Sequence, residues 1–199
     1  MSQPPRPAPI GRRIHITGNT SAGKSTLGMR LASALDAPFV ELDALNWLPG
    51  WVALDHTDPP EFRRRIAEAT AGDAWVVAGS YMTVSQPVFW DRLETVVWLD
   101  LPLSQILRRT VTRSWRRWRT KELLWGTNTE SFVKHLRVWS QDSLIWWAIT
   151  QHRKKRRNLL AWQVDPRWSH IRFIRLRSSA EVEAFTRAIE AAADTGSPR

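Results

Sequence analysis

Residues Gly18-Asn19-Thr20-Ser21-Ala22-Gly23-Lys24-Ser25-Thr26 read GNTSAGKST, and they stand between RRIHIT and LGMRLASAL. Two glycines with four residues between them, followed by Lys and Ser, give the pattern G-x-x-x-x-G-K-S, the P-loop. Gly18 and Gly23 allow backbone angles that a residue with a Cβ resists. The N–H groups between them, from Asn19, Thr20, Ser21 and Ala22, can turn inward and cradle an anion. A helix beginning near Lys24 adds the positive end of its dipole. Lys24 is placed to reach β- and γ-phosphates, and Ser25 to ligate Mg2+. The context agrees. Ile14 to Thr17 predicts a strand entering the loop, and Leu27, Leu31 and Leu35 give the following helix an apolar stripe. The expected nucleotide-binding residues are therefore Gly18 through Thr26.

The chain has 199 residues, which suits one domain with a single core. The expected limits are residues 12–193. A proline-rich tail (1–11) and a short polar tail (194–199) are expected to be disordered. There is no cysteine, so disulfides and thiolate metal sites are excluded, and a reducing compartment fits. No apolar run approaches the ~18 residues of a membrane span, and the first residues lack a signal-peptide core. A cytoplasmic protein without a membrane partner is the expectation. The net charge of +10 points to anionic partners, either nucleotides, nucleic acid or acidic metabolites. Thirteen tryptophans against one tyrosine are expected mainly as packing.

Further strands are expected at Phe39–Leu42, Trp75–Ala78, Val96–Leu99 and Ile171–Leu176. Helices are expected at Pro59–Ala71, Leu103–Trp118, about Phe132–His152 and Ala180–Ala193. Alternating strands and helices imply a parallel sheet covered on both faces. Ligands of such sheets sit at the carboxyl ends of the strands. Strand two ends at Glu41-Leu42-Asp43, strand three at Ala78-Gly79-Ser80-Tyr81 and strand four at Asp100.

Asp43 is the candidate carboxylate. It suits a general base for an acceptor hydroxyl, or a partner for the Mg2+ shell; a helix cap or turn residue is the alternative. Glu41 points to the same side by strand period but sits deeper. Asp100 precedes Pro102 and a helix, which favours capping. Seven basic residues and no acid lie between Arg108 and Lys121. Arg109 and Arg113 share a helical face and suit stabilisation of charge in phosphoryl transfer; a solvated polar face is the alternative. The run RKKRR, Arg153–Arg157, reads as a solvated face or a phosphate-backbone contact. Trp47 and Trp51 suit either stacking on an acceptor or packing.

The succession of P-loop, ELDALNWLPGW, WVVAGSY, VVWLDLP, an arginine helix and LWGTNTES resembles the adenylate-kinase-related P-loop proteins. More narrowly, it is similar to the group called DNA topology modulation proteins. The L-D-x-L-x-W-x-P-G-W segment, Leu42 to Trp51, carries the narrower likeness. The resemblance implies a nucleoside-monophosphate-kinase-like α/β fold with a five-stranded parallel sheet in order 2-3-1-4-5. It also implies a mobile lid after strand four (about 108–135), ATP and Mg2+. On that basis Lys24, Asp43, Arg109 and Arg113 are the expected catalytic residues, and Ser25 and Asp43 the expected metal-site residues. Two positions depart from the group. Ala78 stands where an acid usually precedes the strand-three glycine, and Thr129 stands where a lid arginine is expected.

Three functions compete. The first is an ATP-dependent kinase acting on a nucleotide, nucleoside or other small acceptor. The second is a nucleic-acid-associated NTPase, supported by charge alone. The third is a nucleotide-binding protein with little turnover. A signalling GTPase is disfavoured, because N-K-x-D and a D-x-x-G after strand three are both missing from the sequence.

Overall fold

The computed structural model describes residues 10–121, 123, 124, 128, 129 and 144–196. Five strands form one parallel sheet: β1 Arg13–Gly18, β2 Phe39–Glu41, β3 Trp75–Ala78, β4 Thr95–Leu99 and β5 Arg172–Leu176. Their spatial order is β2-β3-β1-β4-β5, which is the expected 2-3-1-4-5. β1 lies between β3 and β4, with Ile16 opposite both Ala78 and Val97.

β3 and β4 are almost wholly apolar on both faces because both are covered, whereas β1 is apolar on one face and carries His15 and Thr17 on the other. Side chains alternate between the two cores with the strand period. Ile14, Ile16, Val76, Val97 and Leu99 enter one core, with Leu27 and Leu31 from helix α1 (Lys24–Ala34) and Ile189 from helix α6 (Ser179–Gly196). Trp75, Val77, Val96 and Trp98 enter the other. There they meet Phe62 and Ile66 of α2 (Pro59–Ala69) and Phe89 of α3 (Met82–Phe89). Helix α2 starts cleanly because Pro59 suits the first turn and the Asp58 carboxylate accepts from the Glu61 N–H at 3.1 Å. The long helices α4 (Leu103–Thr120) and α5 (Leu144–Gln163) pack together and close the carboxyl edge of the sheet.

Several boundaries differ from expectation. Ile10 is buried, and its carbonyl accepts from the Thr95 hydroxyl, so the ordered domain takes in residues 10 and 11. Helix α6 runs to Gly196 and includes residues 194–196, assigned above to a tail. The helix expected at about Phe132–His152 is seen as α5. It runs on through RKKRR, as expected, and ends at Gln163. Residues 132–143 are outside the described residues, as are 122, 125–127 and 130–135 of the expected lid region. Leu123–Leu124 and Asn128–Thr129 pair as a short antiparallel ladder. Among the described residues, no helix is long and apolar enough to cross a membrane.

His15 occupies the centre of β1 and is fully buried against the edges of Phe89 and Trp90. Its Nε2 lies 3.3 Å from the Gly79 carbonyl. Burial pushes its pKa down to about 4, Lys24 acts in the same direction, and the Gly79 carbonyl opposes them. The folded state thus holds His15 neutral while the unfolded chain takes up its proton near pH 6.5. Stability from this group is complete above that value and is lost as pH falls towards about 4. Urea denaturation should show a fall of roughly 2–3 kcal/mol between about pH 7.5 and 4.5 that is missing from His15→Gln. Parallel pH profiles for the two proteins would contradict this.

Candidate functional site

The loop after β1 is held by contacts that need glycine. A Cβ at Gly18 would lie 2.8 Å from the Leu99 carbonyl, and Gly23 precedes α1 at φ 98°. The Ser80 hydroxyl donates to the Gly18 carbonyl at 2.6 Å, and the Asn19 amide donates to the Ala148 carbonyl of α5 at 2.9 Å. The Thr20 N–H donates to Asn19 Oδ1 at 2.8 Å. The first N–H groups of α1 have no carbonyl partner within the helix, so they can serve an anion. Lys24 Nζ donates to the Asn19 carbonyl at 2.9 Å. Burial draws Lys24 below the ordinary lysine range; Asp43 and Glu41 oppose this, and Arg113 adds to it. A bound phosphate would favour the charged form.

Glu41 and Asp43 sit at the carboxyl end of β2. The Ser25 hydroxyl donates to Glu41 Oε1, so the carboxylate that reaches the loop serine is Glu41, and it is not too deep to do so. Glu41 stands in register with Ala78, the position where an acid was expected. Asp43 lies in the first turn of a short helix, Leu42–Asn46, whose cap position is Glu41; the capping alternative for Asp43 therefore does not hold. Asp43 Oδ1 instead accepts from the Tyr81 hydroxyl at 2.7 Å. The buried Asn46 amide donates to the same hydroxyl at 3.2 Å, and its Oδ1 accepts from the Asp55 N–H at 2.7 Å. Burial and then the negative charge of Asp43 push the Tyr81 hydroxyl far up, so it stays a donor. Trp47 and Trp51 meet edge to face at 5.4 Å on the hairpin that follows.

The expected arginines face the loop. Arg109 donates to the Ala22 carbonyl at 3.1 Å and to the Ser179 hydroxyl at 2.8 Å. Arg113 donates to Thr20 Oγ1 at 3.3 Å, and the Thr110 hydroxyl donates to Ser21 Oγ at 3.0 Å. One face of α4 therefore clamps the loop at Thr20, Ser21 and Ala22. The structure brings Lys24, Ser25, Glu41, Asp43 and Arg113 within electrostatic reach of one another.

Asp100 is not a cap. Pro102 occupies the cap position of α4. The Asp100 carboxylate is nearly buried and accepts from Arg175 Nε at 2.8 Å, while Arg175 lies 4.5 Å above the Trp98 ring. RKKRR is not uniformly solvated either. Lys155 lines the cleft beside Gly18 and Asn19. The charge run gave no sign of which of its members turns inward; only the helix phase does that.

No family model matches the chain. Shikimate kinase from Corynebacterium diphtheriae is 31% identical over 115 residues, 52% of this chain and 65% of that enzyme. Shikimate kinase from Corynebacterium glutamicum is 32% identical over 107 residues, 49% and 63% respectively. The matches thus span less than two thirds of those relatives. Two solved structures align over nearly the whole chain. A gluconokinase from Sinorhizobium meliloti superposes with a TM-score of 0.52 at 19% identity, covering 94% of this chain and 93% of its own. Shikimate kinase from Acinetobacter baumannii, in complex with shikimate, gives 0.51 at 18%, covering 94% and 96%. The chain has the nucleoside-monophosphate-kinase-like fold of these P-loop kinases.

Gly79 sets the position of both carboxylates. A Cβ there would lie 2.6 Å from Leu42 Cβ, and Leu42, fully buried, links Glu41 to Asp43. Gly79→Ala should cost about 1–3 kcal/mol in urea denaturation through overpacking, with the far-ultraviolet spectrum unchanged. Parental stability would show that Leu42 is not tightly held.

Proposed function

We propose that this protein is an ATP- and Mg2+-dependent kinase that transfers the γ-phosphoryl group to a hydroxyl of a small acceptor. The observation that carries it is the division between two carboxylates on one strand end: Glu41 is engaged by the loop serine, and Asp43 is held by Tyr81. The Ser25 hydroxyl and Glu41 carboxylate are oxygen donors in contact, which fits the preference of Mg2+ for oxygen. They would hold the ion, which supplies neutralising charge to the phosphate oxygens.

The loop and Lys24 bind and orient the triphosphate. The Tyr81 donor fixes the Asp43 carboxylate and leaves its second oxygen to take the acceptor proton. The acceptor oxygen then bonds to the γ-phosphorus while the bridge to ADP breaks and its electron pair leaves with ADP. Arg109 and Arg113 brace the loop, and Arg109 also holds Ser179 after β5. The shikimate kinase relatives make shikimate the first acceptor to test, followed by gluconate, nucleosides and nucleoside monophosphates. The lack of cysteine suits a cytoplasmic setting. The likeness to the topology modulation group leaves one second reading. Arg153 and Arg157 are exposed on α5 and suit a phosphate backbone, which a salt-dependent gel shift would detect.

The test is ADP release with ATP and Mg2+ against that acceptor panel, paired with calorimetry. At least one acceptor should raise release well above the rate without acceptor. Lys24→Ala should weaken ATP binding by roughly 10- to 100-fold, the loss of a charge-assisted hydrogen bond. No stimulation by any acceptor, together with unchanged ATP affinity in Lys24→Ala, would refute the proposal.

A further inference from the structure

We propose that Lys155 is a further catalytic residue, a cation that holds the phosphoryl group as it passes between ATP and acceptor; this rests on the kinase reading above. In RKKRR, Arg153 and Arg157 are exposed, Arg156 pairs with Asp100 at 3.7 Å at the edge of one cleft and Lys154 edges another, while Lys155 is turned inward and is the member that lines both. The two clefts adjoin. One is bounded by Gly18 and Asn19 of the loop and by Asp100. The other is bounded by Thr17, Ser80, Thr83 and Asn158, beside the end of β3. Lys155 therefore stands between the phosphate-binding loop and the end of β3.

Charge supports the same placement. Burial, then Lys24, push Lys155 well below the ordinary lysine range, while Asp43 opposes them. Lys155 therefore feels both the phosphate-binding lysine and the acceptor-side carboxylate. Two lysines brought together in a cleft gain from an anion placed between them.

In the transfer, the acceptor oxygen bonds to phosphorus, the bridging bond breaks with its electron pair going to ADP, and the acceptor proton goes to Asp43. Lys155 keeps its protons throughout and donates N–H groups to the phosphoryl oxygens, where negative charge is concentrated.

Calorimetry with two probes isolates this role without an acceptor: ADP, and the non-hydrolysable triphosphate AMP-PNP, each with Mg2+. In Lys155→Met the preference for AMP-PNP over ADP should fall by about tenfold, with ADP affinity within about twofold of the parent. Lys155→Arg should restore part of the preference, and Arg153→Ala should match the parent. Equal loss of both ligands, or parental preference in Lys155→Met, would overturn the role of Lys155 while leaving the kinase reading intact. A parent that binds neither probe would overturn both. If Lys155→Met does not fold, as judged by circular dichroism, Lys155→Gln answers the same question.

Discussion

The contact between Ser25 and Glu41 joins the first turn of α1 to the end of a strand that is not its neighbour. β3 lies between β2 and β1, so Glu41 must reach across the carboxyl end of β3 to touch the loop. The residue in register with it there is Ala78, whose methyl leaves the way open. A carboxylate at residue 78 would set a like charge beside Glu41 and raise the pKa of one of them. The missing acid and the long reach of Glu41 are thus one arrangement. Gly79 and the buried Leu42 complete it, because the tight fit between them fixes the Glu41-Leu42-Asp43 triplet.

Around that contact the site gathers cations that are costly to bury without an anion. Lys24 and Lys155 are both drawn below their ordinary range by burial, and Arg113 adds to the pressure on Lys24. Asp43 and Glu41 offset this only partly. A polyphosphate would relieve the strain by supplying several negative oxygens at once. In this way the fold stores a preference for its ligand in electrostatics, while the shape of the loop comes from backbone contacts that only glycine permits.

The loop and the strand positions were legible because their signals are local, while the sheet order came from the family resemblance. G-x-x-x-x-G-K-S lies within eight residues, and each strand is a short apolar run closed by a turn. The shared face of Arg109 and Arg113 was legible from helical spacing, but not the partner of that face. What sequence could not supply were distances across the fold. Glu41 ends β2 and Asp43 lies two residues on, in the first turn of the helix that follows, and nothing local says which reaches Ser25. Asp100 before Pro102 looks like a cap, whereas its partner, Arg175, is 75 residues away. In RKKRR every residue is basic, so the inward turn of Lys155 depends on the rotation of α5 against the loop. That rotation is set by the burial of Ala148 and Leu159.

The central claim is that the two carboxylates at the carboxyl end of β2 divide the work, Glu41 serving the metal and Asp43 the acceptor proton. The most direct measurement is turnover as a function of Mg2+ concentration in Glu41→Gln and Asp43→Asn. Glu41→Gln should need on the order of tenfold or more Mg2+ for half-maximal rate, as metal-site neighbours do, and recover much of its kcat at saturation. Asp43→Asn should keep the parental Mg2+ requirement and lose about 10²–10⁴-fold in kcat. The same Mg2+ shift in both variants, or parental kcat in Asp43→Asn, would contradict the division.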